Sequence, residues 1–285
     1  MLRDIIIYTL RRRHKFVLKS LLCNDPIQNY ESRTKKVTAL LTANKLSLNI
    51  SKTDFIIFKS SRKKLKNKAN VIINKHTIDQ VKCTKFLGIY IDEELSWKYM
   101  YHINHIASKI SKMTGIMAKA RHHLTSKTLL TSYHTMIYPY LNYCNNIWGS
   151  TYPTRLLSIF KTQKKIVRIM TFSNYNDDTK PLFQSLKILN IYQLNTYLTA
   201  VFMYSYYHDK LPAFFNNFFI TNDSLHSYNT RSMSQIHIEF NRTNYGKFSI
   251  RYRGAVVWIS LPSEIRNINF YNLFKKIVKI ICSKK

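Results

Sequence analysis

The side chains of this sequence best suited to holding catalytic metal ions are two adjacent aspartates. They follow an aromatic residue in the order Tyr175-Asn176-Asp177-Asp178. Paired carboxylates of this kind bind the two metal ions that activate a hydroxyl group and stabilise a leaving oxygen. The flanking segments, Ser173-Asn174 and Thr179-Lys180-Pro181, are typical of turns rather than of a strand that would present such a pair. We therefore predict a loop here and no metal site.

No other group of side chains has the spacing of a metal centre. Asp92, Glu93 and Glu94 form a short acidic turn, which we expect to cap a helix that begins near Trp97. The ten histidines include the pair His122-His123, but neither a cysteine nor an acid lies at ligand spacing from it. The four cysteines are widely separated and have no Cys-x-x-Cys spacing, so reduced thiols are expected rather than disulfides or a zinc site. We expect no cofactor of this chain's own.

The charge of the chain is strongly unbalanced. Its 285 residues contain 45 Lys and Arg but 14 Asp and Glu, which gives a formal net charge of +31 and a pI near 10. Such an excess is commonly neutralised by nucleic acid and, less often, by an anionic membrane surface. Because 45% of the residues are apolar, the chain can form a sizeable core. No segment approaches the roughly 18 uninterrupted apolar residues of a membrane span. We expect an intracellular protein of the nucleus or cytoplasm, neither secreted nor transmembrane.

The first hundred residues predict one helix followed by short strands. Asn24-Asp25-Pro26 is typical of a helix start, with a capping side chain before a proline, and the helix should end near Lys45. Alternating apolar and polar residues then have the period of a half-buried strand. The predicted strands lie at 46–50, 55–58, 71–73 and 81–91, and a basic loop lies at 60–70.

From Trp97 onward the hydrophobic pattern is helical. Apolar residues recur at intervals of three and four, at Ile103, Ile106, Ile110, Met113 and Met117. A basic stripe free of acids follows the same rhythm, and it is either a solvated face or a surface that contacts nucleic acid. This stripe comprises Lys98, His102, His105, Lys109, Lys112 and Lys119. Further helices are predicted at 126–147, 154–171, 191–209 and 270–281, with an irregular polar segment at 220–250.

Several different short motifs follow one another along the chain in a characteristic order. They are Asn44-Lys45-Leu46-Ser47-Leu48-Asn49 with Ser51-Lys52-Thr53, Lys85-Phe86-Leu87-Gly88-Ile89, Leu95-Ser96-Trp97-Lys98, Pro139-Tyr140-Leu141 before Trp148-Gly149, Gln163-Lys164 with Arg168-Ile169, Pro181-Leu182-Phe183, and Trp258 before Leu261-Pro262. Each motif alone has low specificity, whereas their order and spacing together are specific. From about residue 27 the chain resembles the part of jockey-like non-LTR retrotransposon reverse transcriptases that follows the catalytic centre.

This resemblance implies an α+β fold, in which a small antiparallel palm remnant precedes a mainly α-helical thumb and carboxy-terminal region. It divides the chain into an unmatched segment at 1–26, the end of the palm with a primer-grip-like strand at 27–96, a thumb-like helical region at 97–171 and a helical carboxy-terminal region at 172–285. A palm without its first strands would leave an unpaired sheet edge. We therefore expect the chain to be poorly soluble without nucleic acid.

The resemblance also implies roles for individual residues. The segment Lys85, Phe86, Leu87 and Gly88 is similar to the primer grip, which holds the 3′ end of the primer. Gly88 then marks either a close backbone approach or a simple bulge. Lys52 is similar to a lysine beside the phosphates of the incoming nucleotide, or it caps a turn. The thumb-like helices would contact duplex phosphates through Lys98, Lys109, Lys112, Lys119, Lys161, Lys164, Lys165 and Arg168.

The order of elements in this family also argues against Tyr175-Asn176-Asp177-Asp178 as a catalytic site. The family's aromatic-x-Asp-Asp hairpin precedes its primer grip and thumb, whereas this segment follows both. The resemblance thus implies a truncated RNA-directed DNA polymerase that binds an RNA or DNA template-primer and is inactive alone. Mg²⁺ would be needed only by the intact polymerase, and a separate chain could carry the catalytic palm. The sequence leaves open whether this chain is itself an enzyme.

Two functions of other classes compete with this one. A non-catalytic protein that binds nucleic acid without sequence preference would lose affinity steeply as salt rises. A peripheral membrane protein with basic amphipathic helices would bind anionic liposomes more strongly than an RNA–DNA hybrid. The family resemblance favours nucleic acid as the partner and no membrane.

Overall fold

A computed structural model of the chain describes residues 5–9, 15–19, 39, 42–45, 53–59, 71–73, 76–95, 97, 101–225, 233 and 235–284. It confirms an α+β fold that is mainly helical, with short strands in two small sheets. The chain forms two compact units, Met1–His102 and Ile103–Lys285. The finer division into four segments stays a prediction.

A five-stranded sheet forms the larger part of the first unit. Its strands are β1 (Ile5–Thr9), β2 (Lys15–Lys19), β3 (Asp54–Ile57), β4 (Val71–Ile73) and β5 (His76–Gln80), in the spatial order β2-β1-β3-β5-β4. The predicted strands at 55–58 and 71–73 are confirmed. β1 pairs antiparallel with β3, and β5 pairs parallel with its other side. Both sides of β3 are thus hydrogen-bonded, and the expected unpaired sheet edge and poor solubility stay predictions.

A separate hairpin corrects the single strand predicted at 81–91. It consists of β6 (Cys83–Phe86) and β7 (Ile89–Asp92), which pair antiparallel. Leu87 and Gly88 between them have φ values of 46° and 88°. Positive φ at both central residues is the requirement of a two-residue type I′ turn, and glycine meets it without strain. The chain therefore reverses where the apolar pattern predicted continuation.

Backbone bonds attach this hairpin to the end of β3. The Lys59 N–H donates to the Glu93 carbonyl at 2.9 Å, and the Val81 N–H donates to the Phe55 carbonyl at 2.9 Å. The ammonium of Lys59 also lies 3.7 Å from the Glu93 carboxylate. Apolar side chains of both elements share one core cluster, comprising Ile56, Phe58, Val81, Phe86, Ile91 and Leu95. The hairpin is thus held by burial as well as by polar bonds.

Several predictions for the first hundred residues lie outside the described residues. These are the helix start at Asn24-Asp25-Pro26, the strand at 46–50 and the basic loop at 60–70. The predicted end of the helix near Lys45 is confirmed, because helical residues at 42–43 give way to a turn at 44–45. Lys45 has a φ of 53°, a left-handed value that a continuing helix does not contain.

Eleven α-helices follow in the described residues after β7. They are α1 (Tyr101–Ala120), α2 (Ser126–Met136), α3 (Tyr138–Asn142), α4 (Asn145–Trp148), α5 (Pro153–Thr171), α6 (Thr179–Ser185), α7 (Ile191–Tyr207), α8 (Asn244–Lys247), α9 (Ile250–Ile259), α10 (Ser263–Arg266) and α11 (Tyr271–Lys284). The predicted helices at 154–171, 191–209 and 270–281 are confirmed. None of the helices among the described residues combines the length and the apolar character needed to cross a membrane.

The structure confirms the apolar stripe of α1 but corrects the helix predicted at 126–147. Ile103, Ile106, Ile110 and Met117 are buried, whereas Met113 is half-buried. The predicted second helix is three short ones, α2, α3 and α4. Pro139 lies in the first turn of α3, where its missing N–H is tolerated. Cys144, with a φ of 50°, separates α3 from α4.

A buried amide joins three elements of the second unit. Gln163 of α5 has no exposed surface. Its Oε1 accepts from the N–H of Ile191, in the first turn of α7, at 2.8 Å. Its Nε2 donates to the hydroxyl of Tyr133 on α2 at 3.3 Å and lies 3.5 Å from the Leu189 carbonyl. Burial raises the pKa of Tyr133 well above its ordinary value, so that hydroxyl stays neutral.

We expect Gln163→Met to destabilise the second unit by about 1–3 kcal/mol, because it keeps the shape of the side chain but leaves buried polar groups unpaired. Urea denaturation followed by circular dichroism measures the change. Ser158→Ala, at an exposed position of the same helix, is the matched control and should have little effect. Equal stability of Gln163→Met and the parent would show that these bonds do not support the fold.

Candidate nucleic-acid interface

A long part of the chain carries positive charge without any opposing carboxylate. The 82 residues between Glu94 and Asp177 contain eleven Lys and Arg but no Asp or Glu. Both α1 and α5 lie within this acid-free stretch. Their exposed lysines, Lys112, Lys119, Lys161 and Lys165, form no ion pair with another described residue. These helices therefore carry positive charge that no carboxylate within the stretch balances.

The basic stripe predicted on α1 is only partly at the surface. Lys112 and Lys119 are exposed, and Lys109 is half-buried. His102, in contrast, is buried, and its Nδ1 accepts a hydrogen bond from the Tyr90 N–H at 3.4 Å. The prediction that His102 lies on an exposed stripe is therefore wrong. His105 is half-buried. Lys98, and likewise Lys52, lies outside the described residues.

On α5 the basic side chains differ in what they contact. Lys161 and Lys165 are exposed one turn apart, whereas the ammonium of Lys164 lies 4.7 Å from the centre of the Phe160 ring. Nε and Nη2 of Arg168 both donate to the carbonyl oxygen of Asp177, at 3.2 Å and 2.8 Å. Arg168 thus holds the turn after α5, whatever else its guanidinium contacts.

The residues predicted to form a primer grip lie at the tip of the β6–β7 hairpin. Lys85 and Gly88 are exposed, and Leu87 is 63% exposed. Phe86 points the other way, into the core cluster around Ile56. Gly88 forms no bulge, since its φ of 88° is what the turn itself requires. A close backbone approach at Gly88 stays a prediction.

Cys83 starts the same hairpin, beside these residues. Burial, and secondarily the nearby Asp92 carboxylate, raise the pKa of Cys83 to about 11. The thiol is therefore protonated at neutral pH and is a poor nucleophile. Cys83, Cys144 and Cys282 form no disulfide among the described residues, whereas Cys23 lies outside them.

The two adjacent aspartates lie in a turn, as predicted. Asp177 Oδ2 accepts from the Asn174 N–H at 2.7 Å, within the turn between α5 and α6. Asp178 is the N-cap of α6, and its Oδ1 accepts from the Lys180 N–H at 3.2 Å. Each carboxylate thus accepts a hydrogen bond from the backbone N–H of a residue nearby in the chain. In the part of the chain that the structure describes, no group of three or more His, Cys, Asp or Glu could hold a metal ion.

Sequence reasoning missed Arg121, a basic residue that follows the end of α1. Its guanidinium carbon lies 4.9 Å from the centre of the Phe172 ring, at the end of α5. The hydroxyl of Ser126, at the start of α2, donates to the Met170 carbonyl at 2.9 Å. The end of α1 therefore lies against the end of α5. No periodic pattern links these positions, so only the folded chain shows that they are neighbours.

Asp178→Ala should destabilise the chain by about 0.5–2 kcal/mol, because the first turn of α6 loses its cap. Asp178→Asn should remain close to the parent, since an asparagine oxygen caps a helix equally well. Thermal unfolding with and without Mg²⁺ compares the three proteins. A Mg²⁺-dependent rise in the melting temperature of the parent that Asp178→Asn abolishes would instead indicate a metal ligand.

Comparison with known proteins adds one distant similarity. No family model matches the chain, and no solved structure matches it. A probable RNA-directed DNA polymerase from transposon X-element of Drosophila melanogaster is 24% identical over 169 residues, which cover 58% of this chain and 18% of that protein. The chain thus spans less than a fifth of that relative's length. The similarity supports a reverse-transcriptase-like relationship for this chain.

Proposed function

We propose that this chain is the part of a retrotransposon reverse transcriptase that holds the template-primer duplex, without the catalytic aspartates of that enzyme. The observation that carries the proposal is the acid-free stretch, whose helices α1 and α5 present exposed lysines. The distant similarity to a transposon RNA-directed DNA polymerase favours a template-primer over other polyanions.

In this proposal the lysines contact phosphates and read no sequence. Lys112 and Lys119 are seven residues apart on α1, which is about 10 Å along a helix axis. That distance spans roughly three phosphates of one strand at about 3.4 Å of rise each. Lys161 and Lys165 would make equivalent contacts from α5, with Lys109, Lys164 and Lys98 as further members. Such contacts position a duplex and release bound counterions.

The β6–β7 hairpin has a separate task in the proposal. Lys85, Leu87 and Gly88 at its tip would lie against the primer terminus, where a narrow turn lets the backbone approach closely. Phe86 supports this tip from within the core and makes no contact with the primer. Lys52 is assigned to the phosphates of the incoming nucleotide on the family resemblance alone.

The chemistry of polymerisation needs carboxylates that this surface does not offer. Two Mg²⁺ ions, held by aspartates, activate the primer hydroxyl and stabilise the leaving oxygen. Asp177 and Asp178 are engaged in the turn before α6, so we assign the metal ligands to a part of the polymerase outside these 285 residues. A second candidate function, a non-catalytic nucleic-acid-binding protein, uses the same lysines and differs in having no polymerase partner.

Replacing lysines of α1 should weaken the salt dependence of binding. For Lys112→Ala/Lys119→Ala, we expect the slope of log affinity against log salt to fall by about 2, since each lost phosphate contact removes about 0.9 on duplex DNA. Fluorescence anisotropy of a labelled RNA–DNA hybrid measures it. Lys247→Ala/Lys276→Ala removes two exposed lysines elsewhere and should keep the parent slope. Equal slopes in the two double variants would refute the interface.

The 285-residue chain alone should incorporate no nucleotide on a primed RNA template with Mg²⁺, because its only Tyr-x-Asp-Asp segment caps a helix instead of holding metal ions. Extension of a radiolabelled primer tests this. The matched variant is Asp177→Ala/Asp178→Ala. Extension by the parent that this variant loses would place the catalytic site in the turn and overturn the assignment.

A further inference from the structure

The turn between α5 and α6 presents two aromatic rings to solvent. Phe172 is 49% exposed and Tyr175 is 84% exposed. Single exposed aromatic side chains are common on protein surfaces and indicate nothing by themselves. These two lie together in one turn at the end of the acid-free stretch, and each has an arginine beside its ring.

Each ring is held by a guanidinium from a helix. The guanidinium carbon of Arg121 lies 4.9 Å from the centre of the Phe172 ring, and that of Arg168 lies 5.6 Å from the centre of the Tyr175 ring. These are distances of cation–π contacts. Arg168 is itself fixed by its two bonds to the Asp177 carbonyl. An arginine on one side of a ring leaves the opposite face free for another planar group.

The backbone of the turn places Phe172 in the left-handed conformation. Phe172 ends α5 with a φ of 57°, and its N–H donates to the Arg168 carbonyl. The Ser173 N–H donates to the same carbonyl at 3.1 Å. A left-handed conformation costs a residue other than glycine about 1–2 kcal/mol. Glycine would close this helix without that cost, but Lys187 and Asp209, which follow α6 and α7, also have positive φ. The conformation of Phe172 therefore marks the end of α5.

The electrostatics of this end of the unit favour an anion beside the rings. His122, His123 and Lys127 are exposed on the segment that runs from the end of α1 into α2, next to Arg121. The two carboxylates of the turn are engaged by the N–H groups of Asn174 and Lys180. Aromatic rings that alternate with cations are the arrangement on which single-stranded nucleic acid stacks, at about 1–3 kcal/mol per base.

We propose that Phe172 and Tyr175 form a stacking platform for unpaired bases of single-stranded nucleic acid, with phosphates bound by Arg121 and its basic neighbours. The inference rests on the proposed function, because it takes a polynucleotide as the ligand. It adds a site for the unpaired part of the template, distinct from the lysines that contact the duplex. Stacking is tolerant of sequence, as a template-handling surface requires.

The test compares two labelled RNA–DNA hybrids that differ only in a single-stranded template overhang, bound to the full 285-residue chain. Tyr175→Ala is the first variant, because its ring is so exposed that the fold does not depend on it. Phe172→Ala is the second, with thermal unfolding as a check of its fold, and Phe172→Trp keeps a stacking surface. Phe240→Ala, at a ring that is 93% exposed elsewhere, is the control.

We expect the parent to bind the overhang hybrid more tightly than the blunt one. Tyr175→Ala and Phe172→Ala should each lower overhang affinity by about 5- to 150-fold, which corresponds to one lost stack. Binding of the blunt hybrid should be unchanged, and Phe172→Trp and Phe240→Ala should match the parent. Retention of overhang affinity in both alanine variants, or an equal loss on the blunt hybrid, would overturn the platform.

The two proposals fail in distinguishable ways. If lysine variants of α1 alter blunt-hybrid binding while the alanine variants of the turn change nothing, the duplex surface stands and the platform is wrong. If the chain binds neither hybrid at low salt, both are wrong. Exposed aromatic rings among cations also suit a membrane interface. A loss of binding to anionic phosphatidylserine vesicles in Tyr175→Ala, without loss on the overhang hybrid, would likewise overturn the platform.

Discussion

Repulsion between like charges is the constraint under which the helical unit of this chain folds. Because no carboxylate lies between Glu94 and Asp177, the helices of that stretch cannot be joined to one another by ion pairs. Their contacts are neutral instead. The buried amide of Gln163 bonds to backbone and hydroxyl groups of two other elements, and Nδ2 of Asn195 donates to the Asn145 carbonyl at 3.0 Å. Such bonds hold helices together without adding charge to an already cationic unit.

The same constraint decides which cations remain available to a partner. Arg121 and Arg168 lie against aromatic rings, and Arg168 also bonds to a carbonyl oxygen. The exposed lysines of α1 and α5 have no carboxylate in their own stretch with which to pair. A bound polyanion would reduce the repulsion between these lysines and would itself be attracted to them. The carboxylates that end the stretch accept hydrogen bonds from backbone N–H groups of Asn174 and Lys180.

Local patterns were predictable wherever one element's own residues decide its shape. The spacing of Ile103, Ile106 and Ile110 identifies the buried face of α1, because a helix repeats every 3.6 residues whatever packs against it. The turn at Asp177-Asp178 was equally predictable from its neighbours. The hairpin at Leu87-Gly88 was not, because the positive φ of Leu87 is compensated by the pairing of the strands on both sides and not by a local preference.

The sequence by itself determined the excess of positive charge, the mainly helical character after Trp97 and the absence of a strand around the paired aspartates. These follow from composition and from interactions within a few residues. Only the tertiary structure decided that β1 pairs with one side of β3, that His102 is buried, and that Arg121 contacts the Phe172 ring. Each of these joins residues far apart in the chain, and the free energy that selects such pairs comes from burial and hydrogen bonding in the folded state, which no local pattern encodes.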